Sequence, residues 1–501
     1  MESSTNSRRC NRARGGFEEN ILAILDATDS KHTQDANDDR IAFIEAVRAA
    51  SVDQDDGAPP TNKMYEAVFQ IMRVGKSLEL IMESYLLLNE LDKRFPRVYL
   101  SNKDASGSSE LVVVEEAWSP FVFNLDITYG EKESAVKSYC GTLDSSVFHL
   151  LIQDIAEVVN ETDLQKMQIK SLGKMLLFQY LINVLEGDFV PRNKAYEETM
   201  NWMLLRESLL SMLLSSRRIN YKVLVKDCLS IMCGLGQFNS ELSDDLKPFY
   251  SSAANSSQNV NPAIAIALPE VRCSTCAAMQ KLLTVIMELD MSRKKADAQG
   301  CTTRADGVRT PLLEIILDEL TYDRVMLSQF LEIFNEPKWK LEIILQYFSK
   351  YIAKPSVRTR RFNGPIEDDG TLSGVLKGFS NITGTKNITK RISQDAVQIL
   401  LAHAFQAYLS LPSSQQEAEG ISDSKDKVRS NSLVEICENV VSAFSNLKRT
   451  DHSRCDAARW RFCLSEKKLC LQQQVFSQQS HRRSCLNDAG QYFLAQAFML
   501  M

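Results

Sequence analysis

Residues 310–361, TPLLEIILDELTYDRVMLSQFLEIFNEPKWKLEIILQYFSKYIAKPSVRTRR, decide the fold class. They read as three consecutive amphipathic helices with almost nothing between them. Thr310 is placed to cap the first, and Pro311 stands at N1, where its missing N–H removes no helical bond. Leu312, Leu313, Ile316, Leu317 and Leu320 then form a wide apolar stripe. Thr321 and Asp323 interrupt it. In the second helix, Tyr322, Val325, Met326, Gln329, Phe330, Ile333 and Phe334 follow the 3-4 spacing with one polar exception. Pro337 opens the third, in which Leu341, Ile344, Leu345, Phe348 and Ile352 share a face, and Pro355 closes it. Short helices with such broad apolar faces must stack on neighbours to hide them. Stacked units of about 40–47 residues are those of an armadillo- or HEAT-like solenoid. The expected fold is therefore all-α, a helical-repeat superhelix.

Working outward, the same grammar continues in both directions. On the N-terminal side, residues 1–16 are Ser- and Arg-rich without an apolar face. They read as a disordered basic tail, with a weak nuclear import signal or an organelle transit peptide as alternatives. Short helices follow at Phe17–Leu25 and Arg40–Ala50. Thr61 caps a helical hairpin broken at Gly75 and ending before Pro96. Leu111-Val112-Val113-Val114 is a short extended piece or helix start rather than a sign of a sheet. Trp118 through Gly141 is a loop packed on helices. Helices are then expected from Ser145, acting as cap, to Val159; from Thr162 to Leu185, ending at Gly187; from Asn193 or Lys194 to Leu214; and from Tyr221 to Met232, stopping at Gly234 and Gly236. A Ser/Asn-rich linker runs over 237–262, and helix resumes over Ala277–Met291. On the C-terminal side, residues 356–394 are poor in apolar groups and carry seven basic residues against three acidic ones. Ser393 caps a helix through Tyr408, and Ser432 caps another through Phe444. This gives a tail at 1–16, an N-terminal stack at 17–236, the linker at 237–262, a C-terminal stack at 263–449 and a divergent tail at 450–501.

Composition narrows the function. The chain has 501 residues, 44% hydrophobic and 24% charged, as in soluble globular proteins. Its net charge of -6 argues against a nucleic-acid-coating protein, so any DNA contact would need a local patch. No apolar run approaches the roughly 18 residues of a membrane span. Twelve cysteines without a repeated framework, and no recognisable signal peptide, point to reduced thiols in a nuclear or cytosolic compartment. The sequons at Asn381 and Asn387 are expected to stay unmodified for the same reason.

Chemistry is sparse. Cys273 and Cys276 form a CxxC without the second ligand pair of a structural zinc site and without the βαβ setting of a redox pair. Cys228 and Cys233 read as core residues, and His149 and His403 as core or boundary histidines on apolar helical faces. Phosphate-binding loops, dinucleotide fingerprints and the common zinc-protease and hydrolase motifs are missing. No enzyme, cofactor, metal or small-molecule substrate is expected. The most functional-looking group is Arg358, Arg360 and Arg361. It is either a solvated loop beside a helix end or a contact to DNA phosphate or an acidic partner.

Several stretches together resemble one family, the plant negative regulators of systemic acquired resistance. They are DANDDR (Asp35–Arg40), EAVRAAS (Glu45–Ser51), PPTNKMY (Pro59–Tyr65), EAWSPF (Glu116–Phe121), YEETMNW (Tyr196–Trp202), DGVRTP (Asp306–Pro311), EIILDELTYD (Glu314–Asp323), PKWKLEI (Pro337–Ile343) and VRTRR (Val357–Arg361). The resemblance covers roughly Gly16 to Arg449. It implies an armadillo-like, leucine-rich nuclear scaffold without enzymatic activity. Such a scaffold represses defence genes and restrains recombination and the DNA damage response. It also implies a non-SMC subunit of the structural-maintenance-of-chromosomes five/six complex, working beside a second helical subunit, with DNA contact indirect. The alternative is a direct DNA-binding repressor using the basic patch near Arg358. Two departures stand out: the linker around Ser251–Val271 is longer than the family pattern, and a Cys- and Gln-rich tail follows Thr450.

Overall fold

The structure, a computed structural model, describes residues 33–54, 57–102, 109–123, 143–160, 169–244, 262–303, 309–352, 370–411 and 428–450. The expected helix at Phe17–Leu25 and both tails lie outside these residues. The described chain is all-α of the helical-repeat class, with one small hairpin. It divides into two compact units, Met1–Ile316 and Leu317–Met501.

In the first unit the helices are α1 (Thr33–Ser51), α2 (Asn62–Val74), α3 (Leu78–Arg94), α4 (Ser145–Asn160), α5 (Ile169–Thr199), α6 (Trp202–Arg206), α7 (Leu209–Leu214), α8 (Tyr221–Asp244) and α9 (Pro262–Ala298). Strands β1 (Val98–Asn102) and β2 (Ser109–Val113) pair antiparallel with Val98 opposite Val113. The valine run is thus extended as expected, but it does build a two-stranded sheet. The expected hairpin is α2–α3, with the Thr61 hydroxyl accepting from the Met64 N–H. Trp118 packs on it, stacked on Tyr65 at 5.5 Å and edge-on to Phe69 at 5.3 Å.

Helix α5 is the hub. It packs on α2, α3, α4, α6, α7, α9 and the hairpin. Residues 175–182 are buried on every side, as befits an interior helix. The stop read at Gly187 does not hold, because α5 runs through it and through Pro191. Nine of its buried side chains are Leu, Ile, Met or Phe, each contributing about 1.5–3 kcal/mol. That exceeds the roughly 1 kcal/mol for a helical glycine and 3 kcal/mol for a proline. The break comes instead at Met200, whose φ of 56° is left-handed. Helix α8 likewise runs through Gly234, because a Cβ there would stand 2.6 Å from Val159 Cγ1 of α4. That glycine marks a close helix crossing rather than an end. The cap of α4 is Asp144, which accepts from the Val147 N–H at 2.9 Å, and not Ser145. Helix α9 packs on α5 and α8, so the contact boundary lies at Ile316/Leu317 rather than at residues 237–262. Gly300, at φ 71°, ends α9 with Cys301 N–H donating to the Ala296 carbonyl.

The second unit begins inside α10 (Leu312–Tyr322) and continues with α11 (Arg324–Ile333), α12 (Pro337–Ser349), α13 (Leu372–Lys377), α14 (Ile382–Thr389), α15 (Gln394–Ser410) and α16 (Val428–Thr450). Three helices with tight joints are present where residues 310–352 predicted them. Asp323 caps α11, and Pro337 opens α12. The buried face of α11 is rotated from the expected one. Leu327, Phe330, Leu331 and Phe334 are buried, whereas Tyr322 is 88% and Val325 67% exposed. Helix α15 packs on α11, α12 and α16. The stretch read as apolar-poor contributes Leu372, Val375, Leu376, Phe379 and Ile388 to this core through α13, α14 and the turn after α13.

Candidate functional site

Arg358, Arg360 and Arg361 lie outside the described residues. Of the neighbouring basic residues, Lys386, Lys390 and Arg391 are exposed on and just after α14. Arg391 donates to the Tyr351 carbonyl at 3.1 Å. Cys273 is exposed and Cys276 buried on α9. The Cys276 thiol sits 3.8 Å from the Met232 carbonyl, and burial pushes its pKa up, so it packs rather than reacts. Among the described residues no group of three His, Cys, Asp or Glu side chains is placed to hold a metal ion, and no helix is long and apolar enough to cross a membrane.

The first unit brings together a different group of arginines. A cleft of about 850 Å³ is lined by Arg206 of α6, Arg217 and Arg218 after α7, Arg293 near the end of α9, and Arg309. Asp144 and Glu207 are the carboxylates in its wall, and with Asp290, which pairs with Arg309, they leave two positive charges in excess. Val122, Phe123, Trp202, Met203, Met212 and Leu289 supply apolar surface between them.

Buried polar contacts fix this wall. Asp188 of α5, 1% exposed at its side chain, accepts from the Leu209 N–H at 2.8 Å, at the first residue of α7, whose N-cap is Ser208. The same carboxylate faces Arg192 Nε at 3.4 Å and Arg97 Nε at 3.6 Å. Burial pushes its pKa up, opposed by Arg192, the Leu209 N–H and Arg97. Arg192 also donates to the Leu204 carbonyl of α6 at 3.2 Å. On the opposite wall, the Tyr196 hydroxyl donates to the Ser292 carbonyl at 2.9 Å, clamping α5 to α9 just before Arg293. Tyr196 meets Trp202 edge-on at 6.3 Å.

The arginines differ in freedom. Arg309 is anchored: it pairs with Asp290 and lies 4.9 Å over the Tyr221 ring. Asp290 also accepts from the Leu312 N–H at 2.7 Å, so it takes the capping part expected of Thr310. Arg218 pairs with Asp144 at 2.7 Å and is 61% exposed. Asp144 is held below the usual carboxylate range, first by the Ser146 hydroxyl and also by the Val147 N–H and Arg218. Arg217 is exposed. Among the described residues no histidine or cysteine lines the cleft, and the Ser215 hydroxyl donates to the Ser211 carbonyl. The lining thus offers anion recognition without an activated nucleophile or a base poised near neutrality. Taken by itself, Arg293 has the ordinary explanation of a cation near a helix C-terminus. The one local signal was the Arg217–Arg218 pair, and the other arginines are scattered along about a hundred residues.

Comparison with known proteins places these features. The model of the SNI1 middle domain matches residues 97–336, which include the whole cleft, and that of the SNI1 C-terminal domain matches residues 352–455. The chain is 48% identical over 438 residues to the negative regulator of systemic acquired resistance SNI1 of Arabidopsis thaliana, covering 87% of this chain and 90% of that protein. No solved structure matches. An all-helical chain that aligns along nearly its full length with that regulator, and that matches both domain models in order, belongs to the SNI1 family.

Proposed function

We propose that this chain is a non-enzymatic nuclear scaffold that represses plant defence-gene expression and systemic acquired resistance. In this reading it also restrains recombination and the DNA damage response, as a non-SMC subunit of the structural-maintenance-of-chromosomes five/six complex. It works beside a second helical subunit and meets DNA through its partners. The carrying observation is the 48% identity to a negative regulator of systemic acquired resistance over 90% of that protein's length. The packed helical units, which offer extended surface for protein contacts, support a scaffold. A cleft that gathers arginines without a nucleophile–base pair supports binding over turnover.

The test is affinity purification of the tagged full chain from plant nuclear extract, with and without nuclease. Subunits of the chromosomal complex are expected in both eluates, because the contacts are between proteins. Their absence from both would remove the scaffold reading. Recovery only without nuclease would favour DNA as the bridge.

A further inference from the structure

We propose that the arginine-lined cleft of the first unit is a docking site for a short acidic segment of a partner protein carrying a central apolar anchor. Charge complementarity is the first argument. The whole chain carries -6, yet five arginines converge on this one cleft, against Asp144, Glu207 and the Asp290 that pairs with Arg309. Guanidinium groups suit carboxylates because their planar forks donate two parallel hydrogen bonds. Arg217 and Arg218 stand at the exposed side, and Arg218 already holds one carboxylate, Asp144, at 2.7 Å. A ligand carboxylate would exchange with Asp144 and engage Arg217.

The apolar lining decides the class of ligand. Met203 and Met212, neither of them buried, lie among the arginines, and flexible thioethers adapt to a bulky side chain. A phosphodiester backbone has no use for such surface. Base stacking needs open aromatic faces, but Trp202 is 94% buried and Phe123 is stacked on Phe121 at 5.9 Å. A cavity of about 850 Å³ holds a few peptide side chains and excludes a duplex.

The proposal rests on the scaffold reading only in taking the ligand to be protein. The experiment uses the full chain and a short fluorescent peptide with Asp and Glu flanking a central Leu-Phe pair, read by anisotropy. Controls are the peptide with Lys for each acid, the peptide with Ser for Leu and Phe, and single-stranded DNA of equal charge. The acidic apolar peptide is expected to bind best. The double substitution R217E/R218E should weaken it about a hundredfold, because two charge-assisted contacts become repulsive. Arg217→Ala alone, at an exposed site, should weaken it about tenfold and serves if the double variant unfolds. Equal binding of the lysine or serine peptide, tighter binding of the DNA, or unchanged affinity in Arg217→Ala would each overturn the proposal. Absence of peptide binding alongside intact recovery of the chromosomal complex would sink the docking site and leave the scaffold standing.

Discussion

Replacing Asp188 tests whether the buried ionic knot under the cleft holds the first unit together. Its side chain is 1% exposed and that of Arg192 is 4% exposed. Asp188→Asn keeps the volume and one acceptor oxygen, which can still receive the Leu209 N–H. What it loses is the charge facing Arg192 and Arg97. The Arg192 guanidinium then keeps the Leu204 carbonyl as a neutral acceptor. Breaking a buried pair by removing one partner costs about 3–5 kcal/mol, because the other charge stays desolvated. The retained Leu209 contact argues for the lower end, about 3 kcal/mol. Against a total stability of about 5–15 kcal/mol, that is a large loss.

Hydrogen exchange of the α5 amides is the suitable assay, since two units make a single global transition unsafe. A loss of about 3 kcal/mol lowers protection there by roughly a hundredfold. A second, sharper expectation concerns the pair as a whole, because taking two charges out of water is costly even where they meet. The double variant D188L/R192M should accordingly recover part of the loss, with a coupling of about 2 kcal/mol, leaving mainly the orphaned Leu209 N–H. Less than tenfold loss of protection in Asp188→Asn, or strict additivity in the double variant, would refute this account.

Further outcomes follow from the same packing. Gly234→Ala should destabilise by up to about 2 kcal/mol, because overlap with Val159 Cγ1 exceeds the helix-propensity gain of about 1 kcal/mol. In a Val159→Ala background the same change should do far less harm, and hydrogen exchange of the α8 amides in the four variants measures the reversal. Asp92, half-buried beside Tyr180, has its carboxyl pKa pushed up to about 7 from an ordinary 3.8, chiefly by desolvation. The folded state thus holds a proton that the unfolded chain releases. Stability from this group is full below about pH 4 and is lost as pH rises through about 7, by up to about 4 kcal/mol. Asp92→Asn should flatten that limb of the melting temperature against pH, and an unchanged slope would remove Asp92 as its source. Asp290→Ala should cost about 2–4 kcal/mol, since it frees Arg309 and uncaps α10 at once. Exchange at residues 309–316 should rise before exchange elsewhere.

The helical class was legible because local pattern and tertiary need agree in residues 310–352. Proline and aspartate punctuate that segment where its helices actually turn. The face of α11 was less legible for a geometric reason. Met326-Leu327, Phe330-Leu331 and Ile333-Phe334 are adjacent apolar pairs, so two phases about 100° apart fit the 3.6-residue period almost equally well. Only the neighbour decides between them, and α15 selects the Leu327–Phe330–Leu331 side. The glycines failed as punctuation for a related reason. Gly187 and Gly234 look like stops when helix propensity is all that can be weighed. In the fold, one is carried through by the burial around α5, and the other is the small residue a close crossing demands.

The cleft was illegible because nothing local encodes it. Arg206, Arg217, Arg218, Arg293 and Arg309 share no spacing, and each has an ordinary local explanation. Their meeting depends on α5. Its Asp188 ties the start of α7 to it through the Leu209 N–H, and its Tyr196 holds α9 alongside at Ser292. A compositional scan finds basic runs such as Arg358 to Arg361, because contiguity is what a sequence displays. A folded helical stack instead gathers charge from helix ends, where cations also favour the carbonyl termini of the helices. Arg293 serves both purposes near the end of α9. The same helix-end preference therefore hides such a site from the sequence and brings its cations together once the helices pack. If that view is right, charge reversal at Arg217 and Arg218 should change binding while leaving α5 exchange untouched, whereas Asp188→Asn should change both.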